Sequence, residues 1–171
     1  HISPQERVIT VEDTAELQLQ ASHVVRLEAR PTITNGIVGI SISELLRTAL
    51  RMRPDRFVIG EVRGAEVVDM LAAMNTGHNG SFATCHANSA DDALLRLESL
   101  MLPHCGQWPR EAIAQHICAA IDVVVSVGRH ADGSRSVIEI SEVSTTPGSP
   151  SRPSPKLLIN DVSRSPVDKN F

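Results

Sequence analysis

The chain has 171 residues, 42% hydrophobic and 21% charged, with a formal net charge of −4. That size suits one domain with a proper core, the acidic balance argues against a nucleic-acid binder, and no apolar run approaches the roughly 20 residues of a membrane span. Aromatics are only 2%, which favours an α/β core of branched aliphatics, and the three cysteines, Cys85, Cys105 and Cys118, lack C-x-x-C spacing, which fits a reducing cytosolic setting better than a disulfide framework.

In chain order, residues 7–12 (RVITVE) are a β-branched run ending in an acid, the pattern of a buried parallel strand. Residues 23–27 (HVVRL) read as a second strand, and Pro31 discourages helix before it. Ser43 is the expected N-cap of a helix through residues 44–50. Residues 57–60 predict a short apolar strand that ends on Gly60 and is followed by Glu61. A helix over 65–74 has Gly77 just beyond it as a stop, and 81–84 predict another short strand. Ser89 is expected to cap a helix over 90–101, where Leu94, Leu97 and Met101 share a face that Leu100 widens. A further helix runs from Pro109, with proline at its first position, to Ala120. Residues 122–127 (DVVVSV) are the most strand-like of all, and 136–143 are their antiparallel partner across Asp132-Gly133. Strands alternating with helices imply an α/β fold with a mostly parallel sheet flanked by helices. One domain is expected over 1–143, followed by a disordered tail over 144–171, whose first part is Ser, Thr, Pro and Gly.

Several of these residues carry chemistry. Glu61, after an apolar strand, places a carboxylate at the carboxyl edge of the sheet, where open parallel sheets bind ligands. An acid there can hold Mg²⁺ or orient a water against a phosphate, although strands also end in Glu for solubility alone. Glu12, Asp13 and Glu16 form an acidic cluster whose mutual repulsion calls for a cation or basic partner. The plainer reading is a solvated helix cap at Asp13 or Thr14. Arg26 and Arg30 carry a fork of donors suited to phosphate oxygens, with surface ion pairs as the alternative. In residues 77–88 (GHNGSFATCHAN), His78 and His86 flank a short strand. Zinc is one reading, weakened because Cys85 and His86 are adjacent and would face opposite ways on a strand. Satisfied core or surface histidines are a second reading, and sensors of a γ-phosphate beside Glu61 a third.

Together these segments resemble a known family. Residues 8–17 (VITVEDTAEL) look like the acidic "Asp box" of the type II/IV secretion ATPases. Residues 52–64 (MRPDRFVIGEVRG) are similar to their atypical Walker B segment, with Gly60 in place of the usual acid before Glu61. Residues 73–81 through 86–89 look like their "His box", and 23–28 (HVVRLE) are closest to the tight-adherence (CpaF/TadA-type) pilus ATPases. The resemblance covers 7–143. It implies part of a RecA-like P-loop NTPase core, a homo-hexameric ring, and ATP hydrolysis that powers pilus assembly or export. Implied partners are platform proteins at the cytoplasmic face of the inner membrane, with no nucleic acid. ATP and Mg²⁺ are the implied cofactors, the metal being held through Glu61 and nucleotide rather than a protein cage. Glu61 would position Mg²⁺ or the attacking water, with Glu12 and Glu16 beside it. Arg26 and Arg30 would contact phosphates, and His78 and His86 would report on the γ-phosphate.

The departures limit what the chain does alone. The family's G-x-x-x-x-G-K-[ST] loop should precede the acidic box, yet no Gly-Lys pair occurs here. That loop supplies the N–H cradle and the lysine for the phosphates, so the isolated chain is expected to bind ATP very weakly and to be inactive. Opening on His1-Ile2-Ser3-Pro4 without Met, it reads as a C-terminal fragment of a longer protein. One rival reading is a non-hydrolysing ring subunit that lends arginines to a neighbour's site. Another is an unrelated zinc hydrolase using His78 and His86.

Overall fold

Strand β1 (Arg7–Glu12) is buried along nearly its whole length, as branched side chains require of a strand covered on both faces. It is the centre of a parallel sheet. On one side β2 (His23–Glu28) pairs with it, His23 opposite Arg7 and Glu28 opposite Glu12. On the other, β3 (Arg56–Ile59) sets Arg56 opposite Val8 and Ile59 opposite Val11. The two-residue β4 (Phe82–Ala83) lies outside β3, so the order is β2-β1-β3-β4. The computed structural model describes residues 2–31, 38–146 and 149–160, and divides into two compact units, His1–His86 and Ala87–Phe171.

In the first unit α1 (Ile42–Ala49) packs on β1 and on α2 (Glu66–Met74). Leu46 and Ala49 of α1 and Val67, Met70, Leu71 and Ala73 of α2 are buried, as are Val8, Ile9, Val11, Phe57 and Ile59 of the sheet. The cap of α1 is Ser41 rather than the expected Ser43. Ser41 Oγ accepts from the Glu44 N–H at 3.2 Å while Glu44 Oε2 accepts from the Ser41 N–H at 2.8 Å. This reciprocal box needs an acid three residues after the cap, and only Ser41 has one. Arg47 holds Asp69 with two bonds, 2.9 and 3.1 Å, fastening α1 to α2.

At the amino edge of this sheet Arg56 acts as a clamp. Its Nε donates to Glu6 Oε2 at 2.9 Å and its Nη1 to the Gly80 carbonyl at 2.9 Å, so one guanidinium joins the starts of β1, β3 and β4. Gly80 has φ +74°, and a Cβ there would lie 2.6 Å from Arg56 Nη1.

In the second unit α3 (Ala90–Met101) is capped by Ser89 as expected, Oγ accepting from the Asp92 N–H at 3.1 Å. It packs against α4 (Arg110–Ala120), and Leu94, Leu97, Met101, Ile113, Ala114 and Ile117 are buried. Glu98 is 4% exposed and accepts from Arg110 Nε at 2.7 Å. Strand β5 (Val123–Arg129) pairs antiparallel with β6 (Arg135–Thr146) across a turn containing Gly133 at φ +86°. Strand β7 (Ser149–Asn160) pairs antiparallel with β6, although a tail was expected from Ser144 onward. The reason is positional: β7 is the edge of the order β5-β6-β7, where Pro150, Pro153 and Pro155 can sit without breaking an interior ladder. The rest of the expected tail, 161–171, lies outside the described residues. Among the described residues no helix is long and apolar enough to cross a membrane.

The Arg56 clamp makes a stability prediction. Gly106 also has positive φ, +58°, but a Cβ there meets nothing within 4 Å. Gly106→Ala is therefore expected to cost about 1 kcal/mol for the left-handed backbone alone, and Gly80→Ala roughly 2–3 kcal/mol, read from urea unfolding. Equal costs would show that the guanidinium simply moves aside.

Candidate active site

Parallel pairing sends the carboxyl ends of β1, β3 and β4 to the same edge of the sheet. Glu12 closes β1, Gly60 and Glu61 follow β3, and Thr84, Cys85 and His86 follow β4. Backbone bonds hold these exits together: Gly60 N–H donates to the Val11 carbonyl at 2.9 Å and Val62 N–H to the Thr84 carbonyl at 2.8 Å.

Glu12 is 2% exposed. Its Oε1 accepts from the N–H groups of Glu16 and Leu17, both at 2.9 Å, which folds the acidic turn back over the strand end. Its Oε2 is buried without a hydrogen-bond partner. A buried carboxylate oxygen in that condition is costly unless a donor or cation meets it. At the same edge Glu61 Oε1 stands 3.3 Å from His86 Nε2, with the Glu61 side chain 31% and the His86 side chain 85% exposed. Asp13 pairs with Arg63, and Glu28 Oε1 accepts from the Ala15 N–H at 3.2 Å. The acidic cluster is thus relieved by one arginine and two backbone donors. Arg63 was not anticipated as its partner. The spacing between the two segments reveals nothing of their contact, which arises only when β1 and β3 pair.

The remaining candidates divide. Glu16 follows the strand in the same turn, and its contribution to Glu12 is its N–H rather than its carboxylate. Arg26 lies on β2 opposite Thr10, two residues short of the strand end, and is exposed. Arg30 is already engaged: its Nη2 donates to the Val38 carbonyl at 3.1 Å and its backbone bridges Ile40. His78 is at the other edge of the sheet. It precedes β4, its ring meets the Phe57 ring edge-on at 4.8 Å, and its Nδ1 lies 3.0 Å from the Ala73 carbonyl. Phe57 is four residues before Glu61, about 13 Å of strand at the usual rise. The structure therefore sets Glu12, Glu61 and His86 at the same edge of the sheet, with Glu61 and His86 paired, and leaves His78 at the other. That also removes the geometry a zinc site on His78 and His86 would need, because β4 runs between them.

A family model described as "Type II/IV secretion system protein" matches residues 1–140. The chain belongs to that family. Among its relatives a "Putative conjugal transfer protein" of Mycobacterium tuberculosis is 46% identical over 140 residues, 82% of this chain and 39% of that protein. The type IV secretion system protein PtlH of Bordetella pertussis is 42% identical over 134 residues, 76% of this chain and 39% of that protein. The chain thus spans about two-fifths of the length of these relatives. The crystal structure of the VirB11 ATPase of the Brucella suis type IV secretion system superposes with a TM-score of 0.71 at 34% identity, covering 82% of this chain and 41% of that one. The family's fold is the RecA-like α/β core, and this chain holds part of it: a parallel sheet flanked by helices.

The two acids of the site differ in how far the fold depends on them. Glu12→Ala leaves two backbone donors without their acceptor and is expected to cost roughly 1–3 kcal/mol. Glu61→Gln, at an exposed pair, is expected to stay within about 0.5 kcal/mol of the parent. Denaturant midpoints of the two variants decide this, and a larger loss for Glu61→Gln would reverse the assignment.

Proposed function

We propose that this chain supplies the water- and metal-side half of an ATP-hydrolysing site in a motor for type II/IV secretion or tight-adherence pilus assembly. Residues 1–143 are read as the later part of its RecA-like domain. The observation that carries the reading is that Glu12, with one unpartnered buried oxygen, and the Glu61–His86 pair end at the same carboxyl edge of a parallel sheet. An edge of that kind is where α/β folds of open topology hold their ligands.

In this reading Glu61, partly open to solvent and free of structural duty, orients the attacking water or a water bound to Mg²⁺. Glu12, held by two N–H groups, fixes a negative charge beside it. His86, within reach of Glu61, is placed to meet the γ-phosphate and respond to its loss. Mg²⁺, when bound, would offset charge on the phosphate oxygens, and an orphaned carboxylate oxygen at Glu12 together with the Glu61 carboxylate suits such a hard cation. Glu16 shapes the acidic turn. Arg26 and Arg30 are assigned to phosphates of the same or a neighbouring subunit in a hexameric ring, which for Arg30 requires release of the Val38 carbonyl. His78 is assigned to the transmission of changes at His86 along β4 to Phe57. The ring is placed on inner-membrane platform proteins, at the cytoplasmic face.

The lysine and N–H cradle for the phosphates are not encoded in this chain, which has no Gly-Lys pair. Calorimetric titration of the chain with MgATP is therefore expected to show no saturable binding in the micromolar range, and a micromolar Kd overturns that expectation. In a protein that joins this chain to a G-x-x-x-x-G-K-[ST] loop, Glu61→Gln is expected to lower ATP turnover by about 100-fold with little change in nucleotide affinity. Unaltered turnover in that variant would remove Glu61 from the chemistry.

A further inference from the structure

Resting on that reading of the sheet edge, a further role falls to Gly60. Among the described residues the glycines with positive φ are Gly77, Gly80, Gly106 and Gly133. Gly60 is not one of them, so its backbone does not call for glycine. Space does. A Cβ at position 60 would stand 3.1 Å from Glu12 Cγ and 3.5 Å from both Glu12 Cα and Cβ. The Cα and Cβ distances are ordinary van der Waals contacts; the tight one is to Cγ, in the middle of the side chain rather than at its far end. Glu12 Cα belongs to β1, which the bond from the Gly60 N–H to the Val11 carbonyl holds at 2.9 Å. The other end of the side chain is held too, at Oε1, by Glu16 and Leu17. The stem is held at both ends, so the few tenths of an ångström that a Cβ would need must come from a side chain tethered at Oε1.

We propose that Gly60 is a positioning residue: its missing side chain leaves the volume through which Glu12 reaches the carboxyl edge between β1 and β3. A side chain at 60 and the stem of Glu12 compete for one space. An acid at 60 would add like-charge repulsion to the overlap. The acid that ordinarily ends this strand in other nucleotide-binding sheets is thereby exchanged for one delivered from the neighbouring strand. The exchange has a chemical consequence. A carboxylate projecting from position 60 would hang from a single residue, whereas Glu12 is oriented by two N–H donors and by the backbone it lies against, which leaves Oε2 as its one uncommitted oxygen.

The test uses the whole chain without nucleotide, so its outcome is independent of whether the edge hydrolyses ATP. Amide hydrogen exchange is followed by NMR at Glu16 and Leu17, whose N–H groups report directly on the Glu12 carboxylate. Gly60→Ala is expected to speed exchange at these two amides about tenfold or more, the scale of one lost charge-assisted hydrogen bond, while the amides of α1 and α2 keep their protection. Glu12→Ala is expected to produce the same loss at the same two sites. Adding Gly60→Ala to Glu12→Ala is expected to change nothing further, because Cγ, the one atom it would crowd, is gone. Should Gly60→Ala unfold the chain outright, the Glu12→Ala/Gly60→Ala double variant is expected to fold like Glu12→Ala. The proposal is overturned if Gly60→Ala leaves Glu16 and Leu17 protected, or if its effect persists undiminished once Glu12 is truncated. If the coupling is present but no hydrolysis is found in any protein carrying the chain, the functional reading fails and the steric one stands.

Discussion

A carboxylate taken out of water costs several kcal/mol unless its oxygens find donors or a cation, and Glu12, 2% exposed at the end of β1, imposes that demand on everything around it. The chain leaving β1 must turn back at once so that the N–H groups of Glu16 and Leu17 reach Oε1. That turn draws Ala15 to Glu28 and sets Asp13 against Arg63, linking the exits of β1, β2 and β3. The residue facing the Glu12 stem from β3 must be small, and Gly60 is. Of the two Glu12 oxygens, Oε2 is left without a partner, and it lies at the edge where a parallel sheet holds its ligands.

Strand polarity divides the labour of this sheet between its two edges. At the carboxyl edge stand one buried, fixed acid, Glu12, and one accessible acid, Glu61, paired with His86. At the amino edge Arg56 joins Glu6 to the Gly80 carbonyl, and Ser81 Oγ accepts from the Phe57 N–H at 3.0 Å while donating to the His78 carbonyl at 2.7 Å. These bonds brace the sheet without offering a ligand site. The two histidines of one sequence motif therefore do different things. His86 is 85% exposed at the polar edge, whereas His78 packs its ring on Phe57.

Much of this was legible in the chain. The β-branched run 7–12 suited a covered strand, and an apolar strand followed by Glu61 pointed to the carboxyl edge. Ser89 was readable as a cap because it stands immediately before a long periodic helix. Ser41 was missed in favour of Ser43 because both precede the same apolar pattern, and the deciding signal is Glu44 three residues after Ser41. Strand β7 was hidden by its prolines, which local propensity counts against any strand. Only the knowledge that it lies on an edge makes Pro150, Pro153 and Pro155 acceptable.

By itself the sequence determined the family and the α/β class, because motif spacing and hydrophobic period are local properties written along one chain. It could not say which of its residues meet. Glu12 and Gly60 are far apart in sequence, and only the pairing of β1 with β3 brings the stem of one within 3.1 Å of the other's Cβ position. His78 and His86 are close in sequence, and only the direction of β4 shows that they leave the sheet at opposite edges. Tertiary structure decided both, since a parallel sheet sorts residues by the end of the strand they occupy and not by their distance along the chain.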